Sequence, residues 1–62
     1  MEKKDVQYVL ATVQYIIASA QSMQETLQNE TVSDREIKGI REELDAIWKA
    51  RNNIDTVLRN YR

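Results

Sequence analysis

Apolar residues recur along this chain at alternating intervals of three and four. The first run is Val6, Val9, Val13, Ile16, Ala20, Met23 and Leu27, and Leu10 and Ile17 widen it. That spacing puts every member on one stripe of an α-helix. Val and Ile would also suit a strand, but no two-residue alternation organises the run. Ala, Gln, Leu, Met and Glu around the stripe favour helix. The pattern therefore predicts a helix over about 5–28. The second run is Ile37, Ile40, Leu44, Ile47, Arg51, Ile54, Leu58 and Tyr61, with the same period. It predicts a helix over about 34–60. Asn52-Asn53 is a place for a kink, since Asn is a poor interior helix residue, but the stripe continues unbroken across it.

Between the runs, residues 29–33 read Asn-Glu-Thr-Val-Ser, a segment of low helix propensity. Ser33 and Glu36 have the spacing of a capping box, and Val32 and Ile37 that of a hydrophobic staple. Asp34 adds a negative charge where a helix start favours one. So short a connection turns the second helix back antiparallel to the first. The expected fold is all-α: one domain over 1–62, an antiparallel two-helix hairpin with coiled-coil-like packing. In that reading Leu44 belongs to the intrachain core. Arg51 stands where an apolar residue is due, with its stem covering the core and Asp55 one turn away as a partner.

Length changes this picture. A chain of 62 residues has a thin core, and the absence of Cys rules out both a disulfide and a thiolate-held metal. Self-association is the expected remedy, with two hairpins forming a dimeric four-helix bundle. The first helix carries material for a second surface. Tyr8, Ala11, Tyr15, Ala18 and Ser22 form another line at helical spacing, away from the main stripe. Aromatic groups suit a surface that is partly buried and partly wet. Trp48, beside the second stripe, either closes the edge of the core or anchors an interface. The candidate interface residues are thus Tyr8, Ala11, Tyr15, Ala18, Trp48 and Arg51.

Charge is unequally spread. Met1–Asp5 with Trp48–Arg62 carries a net +3, and the segment around the turn a net −4, giving the total of −1. A hairpin gathers the positive charge at its open end and the negative charge at its turn. That polarity can orient a protein partner. It is a weak footprint for nucleic acid, which needs a denser basic surface. Without His or Cys the commonest general base and nucleophile near neutral pH are missing. No glycine-rich phosphate loop is present. No catalytic residue, metal site or cofactor is therefore expected. The Val6–Ala20 stretch contains Gln7, Thr12, Gln14 and Ser19, too polar for a membrane span or a clean secretory leader, which makes the cytoplasm the default location. The expected function is a small non-enzymatic protein-interaction module: an inhibitor, an adaptor or an assembly subunit. A purely structural homo-oligomer subunit is the alternative, and a helical nucleic-acid-associated accessory protein the third.

Overall fold

A computed structural model describes residues 1–29 and 31–61. Residue 30 of the expected connection and Arg62, counted with the open-end charges, lie outside the described residues. Helix α1 spans Lys3–Leu27 and α2 spans Asp34–Leu58. They pack antiparallel into a helical hairpin whose Cα extents are 45 × 15 × 14 Å. Helix α2 runs without interruption through Asn52 and Asn53.

The two helix starts are built differently. At α2 the capping box forms. The Ser33 hydroxyl accepts the Glu36 backbone N–H at 3.2 Å, and Glu36 Oε1 accepts the Ser33 backbone N–H at 3.1 Å and its hydroxyl at 2.9 Å. These bonds satisfy two donors that a helix start otherwise leaves to water. They also hold the Glu36 carboxyl below the usual range, the Ser33 backbone bond contributing most. A carboxyl depressed by folding stabilises the fold above its unfolded pKa, and that stabilisation fades as pH falls through the folded value. Replacing Ser33 with Ala is expected to cost about 0.5–2 kcal/mol in chemical denaturation at neutral pH. A loss below this range would remove the cap from the account of the turn. At α1 the cap position is Glu2, which makes no side-chain cap bond.

The open end is closed by Tyr61 instead. Its phenol donates to Asp5 Oδ2 and accepts the Glu2 backbone N–H at 3.2 Å. The bond to Asp5 raises the Tyr61 pKa. The fold therefore favours the neutral phenol: this clasp is intact below the ordinary tyrosine range and is lost as pH rises through the raised value.

Only part of each apolar stripe faces the other helix. The half-buried residues of α1 are Asp5, Val9, Thr12, Ile16, Ser19, Met23 and Thr26. Their spacing is again four and three, but the line is rotated from the expected one. Val9, Ile16 and Met23 remain in it, whereas Thr12, Ser19 and Thr26 stand where Val13, Ala20 and Leu27 were due. On α2 the seam runs through Glu36, Ile40, Glu43, Ile47, Ala50, Ile54 and Val57. Ala50 is the one fully buried residue described, at 6% exposure. It takes the place expected of Arg51. Leu44 is 52% exposed, so its assignment to the intrachain core is overturned.

Size explains the rotation. Ala46, Ala50, Ser19 and Thr12 are short, and short side chains let helix backbones approach closely. Polarity has a local outlet too. Thr12 donates to the Tyr8 carbonyl at 2.9 Å, and Ser22 donates to Glu43 Oε1 at 3.1 Å. The second Glu43 oxygen is buried without a hydrogen-bond partner. Gly39 sits at the seam, and a Cβ added there would meet nothing within 4 Å. Gly39→Ala is expected to raise stability by about 0.5–1 kcal/mol, because the alanine gains helix propensity without a clash. Thermal denaturation at fixed protein concentration would measure it, and destabilisation would mean that the notch receives another group.

Candidate interaction surfaces

A side chain one residue before or after a seam position points about 100° to either side of the seam. The two helices run in opposite directions, so the same sequence offset on each lands on the same side of the hairpin. One offset thus defines each face of the molecule.

Residues preceding the seam make the first face. Tyr8, Ala11 and Tyr15 of α1 lie there with Ala46, Lys49 and Asn53 of α2. Together with Thr12 and Ala50 they line an open groove of about 470 Å³. The tyrosines stand as its wall, and the small residues make its floor. Tyr8 and Tyr15 are about half exposed. Lys49 reaches back to Asp45 at 3.1 Å across one helical turn. Ala18, expected on the same line, is exposed further along α1 and does not line the groove.

Residues following the seam make the second face. Val6, Leu10, Val13, Ile17 and Leu27 come from α1, and Ile37, Leu44, Trp48 and Leu58 from α2. These are nine of the thirteen large apolar residues described as exposed, so this is by far the more apolar face. Trp48 is the most exposed of them, at 63%. It therefore does not close the edge of an intrachain core. Arg51 lies on this face as well. It is exposed and donates to the Asn52 side chain at 3.2 Å. The expected pair with Asp55 is not formed, because Asp55 binds Arg59 at 2.7 Å, one turn further on. Structure therefore divides the six candidate residues. Tyr8, Ala11, Tyr15 and Ala18 share one face, Ala18 beyond the groove, and Trp48 and Arg51 lie on the opposite one.

The chain matches no protein-family model, no curated protein and no solved structure among those compared. Its chemistry must be read from the surfaces alone. Among the described residues no group of three or more His, Cys, Asp or Glu is placed to hold a metal ion. Among them, too, no helix is long and apolar enough to cross a membrane.

The second face was read in the sequence as the inside of the hairpin. Every residue in it belonged to the predicted stripes or flanked them, and the error was in what covers it. A signal for the true seam was present. Ala46 and Ala50 are small residues beside Ile47, and such clusters mark where two backbones come close.

Proposed function

We propose that this chain is a small non-enzymatic protein-interaction module, of the inhibitor, adaptor or assembly-subunit kind, and that it works as a self-associated helical bundle in the cytoplasm. The observation that carries this reading is the inversion of the hairpin. Thirteen large apolar side chains are exposed, nine of them on one face, and among the described residues only Ala50 is fully buried. Monomeric soluble proteins rarely leave so continuous an apolar face uncovered, and such faces mark interaction sites. A helix that is apolar on more than one side is normally covered on more than one side.

The two faces suit different tasks. The second face is apolar along the hairpin and fits another helical surface. The groove under Tyr8 and Tyr15 has aromatic walls, and tyrosine is enriched at recognition surfaces. A purely structural homo-oligomer subunit is favoured if both faces are used by copies of the chain, and the exposure of both faces is the observation behind that second reading.

Sedimentation equilibrium at several concentrations tests the self-association. A dimer populated at micromolar concentration is the expected result. A folded monomer throughout would defeat it. Affinity isolation from the native cell separates the readings further: a stoichiometric second protein supports the interaction module, and recovery of self-copies alone supports the structural subunit. Nuclease-sensitive copurification would overturn both in favour of a nucleic-acid accessory role.

A further inference from the structure

We propose that the groove between Tyr8, Tyr15 and α2 is the docking site for one amphipathic helix of a different protein, and that this helix carries a carboxylate, a cation and a second carboxylate at seven-residue intervals beside its apolar stripe. This rests on the interaction-module reading above and names the kind of partner the module takes.

The lining of the groove has the form of a seat for a helix. Its residues from α1 stand at the first, fourth, fifth and eighth places of a stretch starting at Tyr8, and those from α2 stand at the same places of a stretch starting at Ala46. Four residues so spaced form the hole that receives one side chain of a facing helix. Two such holes lie side by side here, one on each helix. A third helix laid along the groove therefore presents successive apolar side chains to them in turn. Ala11, Ala46 and Ala50 give the groove its depth, and Tyr8 and Tyr15 wall it, about 10.5 Å apart along α1. Size agrees with this occupant. A closed cavity of about 150 Å³ holds one benzene ring. The groove has about 470 Å³ and is open, so it admits several side chains of an elongated partner rather than enclosing a small molecule.

Charge names the partner. Arg35, Glu42 and Lys49 each immediately precede a seam residue, so they share the face of the groove and recur every seven residues along α2. Among the described residues Arg35 and Glu42 form no ion pair. Lys49 pairs only with Asp45, one turn away, and so exposed a pair is weak enough to be exchanged. Charges that flank an apolar seam decide which helix pairs there. The fitting occupant presents an acid to Arg35, a base to Glu42 and an acid to Lys49. A second copy of this chain does not supply that pattern. On its groove face α2 repeats the basic, acidic, basic order, and α1 is uncharged from Tyr8 to Ser22. On its other face α1 is uncharged and α2 brings Arg41 and Arg51, while its single carboxylate there, Asp55, is held by Arg59.

The probe is a dye-labelled synthetic peptide of about 21 residues, or three heptads. It has leucines at alternating intervals of three and four, flanked by Glu, Lys and Glu at seven-residue intervals. That charge order reads the same in both directions, so either docking direction satisfies it. A second peptide carries Lys, Glu and Lys at the same places. Fluorescence anisotropy with the full chain reads affinity, and sedimentation of the same samples reads self-association. The expected result is micromolar binding of the first peptide and about tenfold weaker binding of the second, a difference that fades in ~1 M salt. Ala11→Leu is the decisive variant. Ala11 is exposed, and leucine keeps the helix while filling the hole on α1. It is expected to weaken the first peptide at least about tenfold, with helix content and self-association unchanged. A face that merely adheres to apolar peptides gains from the added leucine, so unchanged or tighter binding overturns the proposal. Equal affinity for the two peptides overturns the charge pattern. Self-association lost in Ala11→Leu puts a second copy in the groove and overturns the foreign partner. Peptide binding lost in Leu44→Ala with Trp48→Ala but kept in Ala11→Leu moves the site to the other face and overturns the groove. A chain that self-associates but binds neither peptide overturns this inference alone. A monomer that binds as expected supports this inference and removes self-association alone.

Discussion

The double variant Leu44→Ala with Trp48→Ala is expected to weaken self-association by about a thousandfold. Within the single hairpin the two side chains are 52% and 63% exposed. Truncating them opens no cavity there, and substitutions at such positions usually fall within about ±0.5 kcal/mol. In the dimer they occupy the centre of the covered face. A central aromatic or aliphatic anchor contributes about 2 kcal/mol or more, and two together reach about 4 kcal/mol. Sedimentation equilibrium beside circular dichroism separates the effects: the variant loses association first and helicity only as a consequence, at concentrations where the parent chain is paired. Tyr8→Ala with Tyr15→Ala provides the contrast. It lies on the other face and is expected to leave the dimer intact while emptying the groove of its aromatic walls. An unaltered dissociation constant in the Leu44 and Trp48 variant, with association lost in the tyrosine variant, would exchange the roles of the two faces.

Ala50→Asp is expected to be the most damaging single change within the hairpin. Ala50 is 6% exposed, on the seam and in the floor of the groove. An aspartate there has too short a stem to carry its charge out to water. Its carboxylate would lie against Thr12, Tyr8 and Tyr15, with Lys49 adjacent in sequence but directed toward Asp45. Burying a charge without a partner is costly, on the order of 3 kcal/mol or more for the chain as a whole. Ala50→Gly separates charge from size: it removes only a methyl group and lowers helix propensity, a loss of about 1 kcal/mol. Urea denaturation of the two variants at equal concentration checks the order. If Ala50→Asp proved as mild as Ala50→Gly, the seam would be open to water at this point, and close helix contact would not be what holds the hairpin.

Local chemistry was legible in the sequence where it is decided locally. The three–four spacing marked both helices, and their observed ends fall within two residues of those expected. Ser33 and Glu36 marked the start of α2, because a capping box needs only four consecutive residues and no tertiary partner. The rotation of the seam was not legible in the stripes themselves. A stripe records that side chains avoid water, and it does not record which surface covers them. With one chain in view, Val6, Val13, Leu27, Ile37, Leu44 and Leu58 had nowhere to go but the intrachain seam. In the structure Thr12, Ser19, Glu43 and Ala50 hold those positions, with Thr12 bonded to the Tyr8 carbonyl and one Glu43 oxygen to the Ser22 hydroxyl. Arg51 illustrates the same point. It looked like a charge out of place in a core stripe, but the stripe is an outer face, where Arg51 is exposed and donates to the Asn52 side chain.

The near-absence of an interior makes abundance a thermodynamic variable for this molecule. One chain encloses little beyond Ala50. Where two copies complete the core, the free energy that holds the helices together is gained largely at their meeting. Each tenfold dilution then removes about 1.4 kcal/mol of apparent stability, and the melting temperature becomes a property of the solution as much as of the sequence. Below its dissociation constant such a chain is a loose pair of helices open to proteolysis, and above it a protected bundle. Its cellular lifetime would then rise with its own expression level, so that a modest change in synthesis yields a disproportionate change in the folded pool.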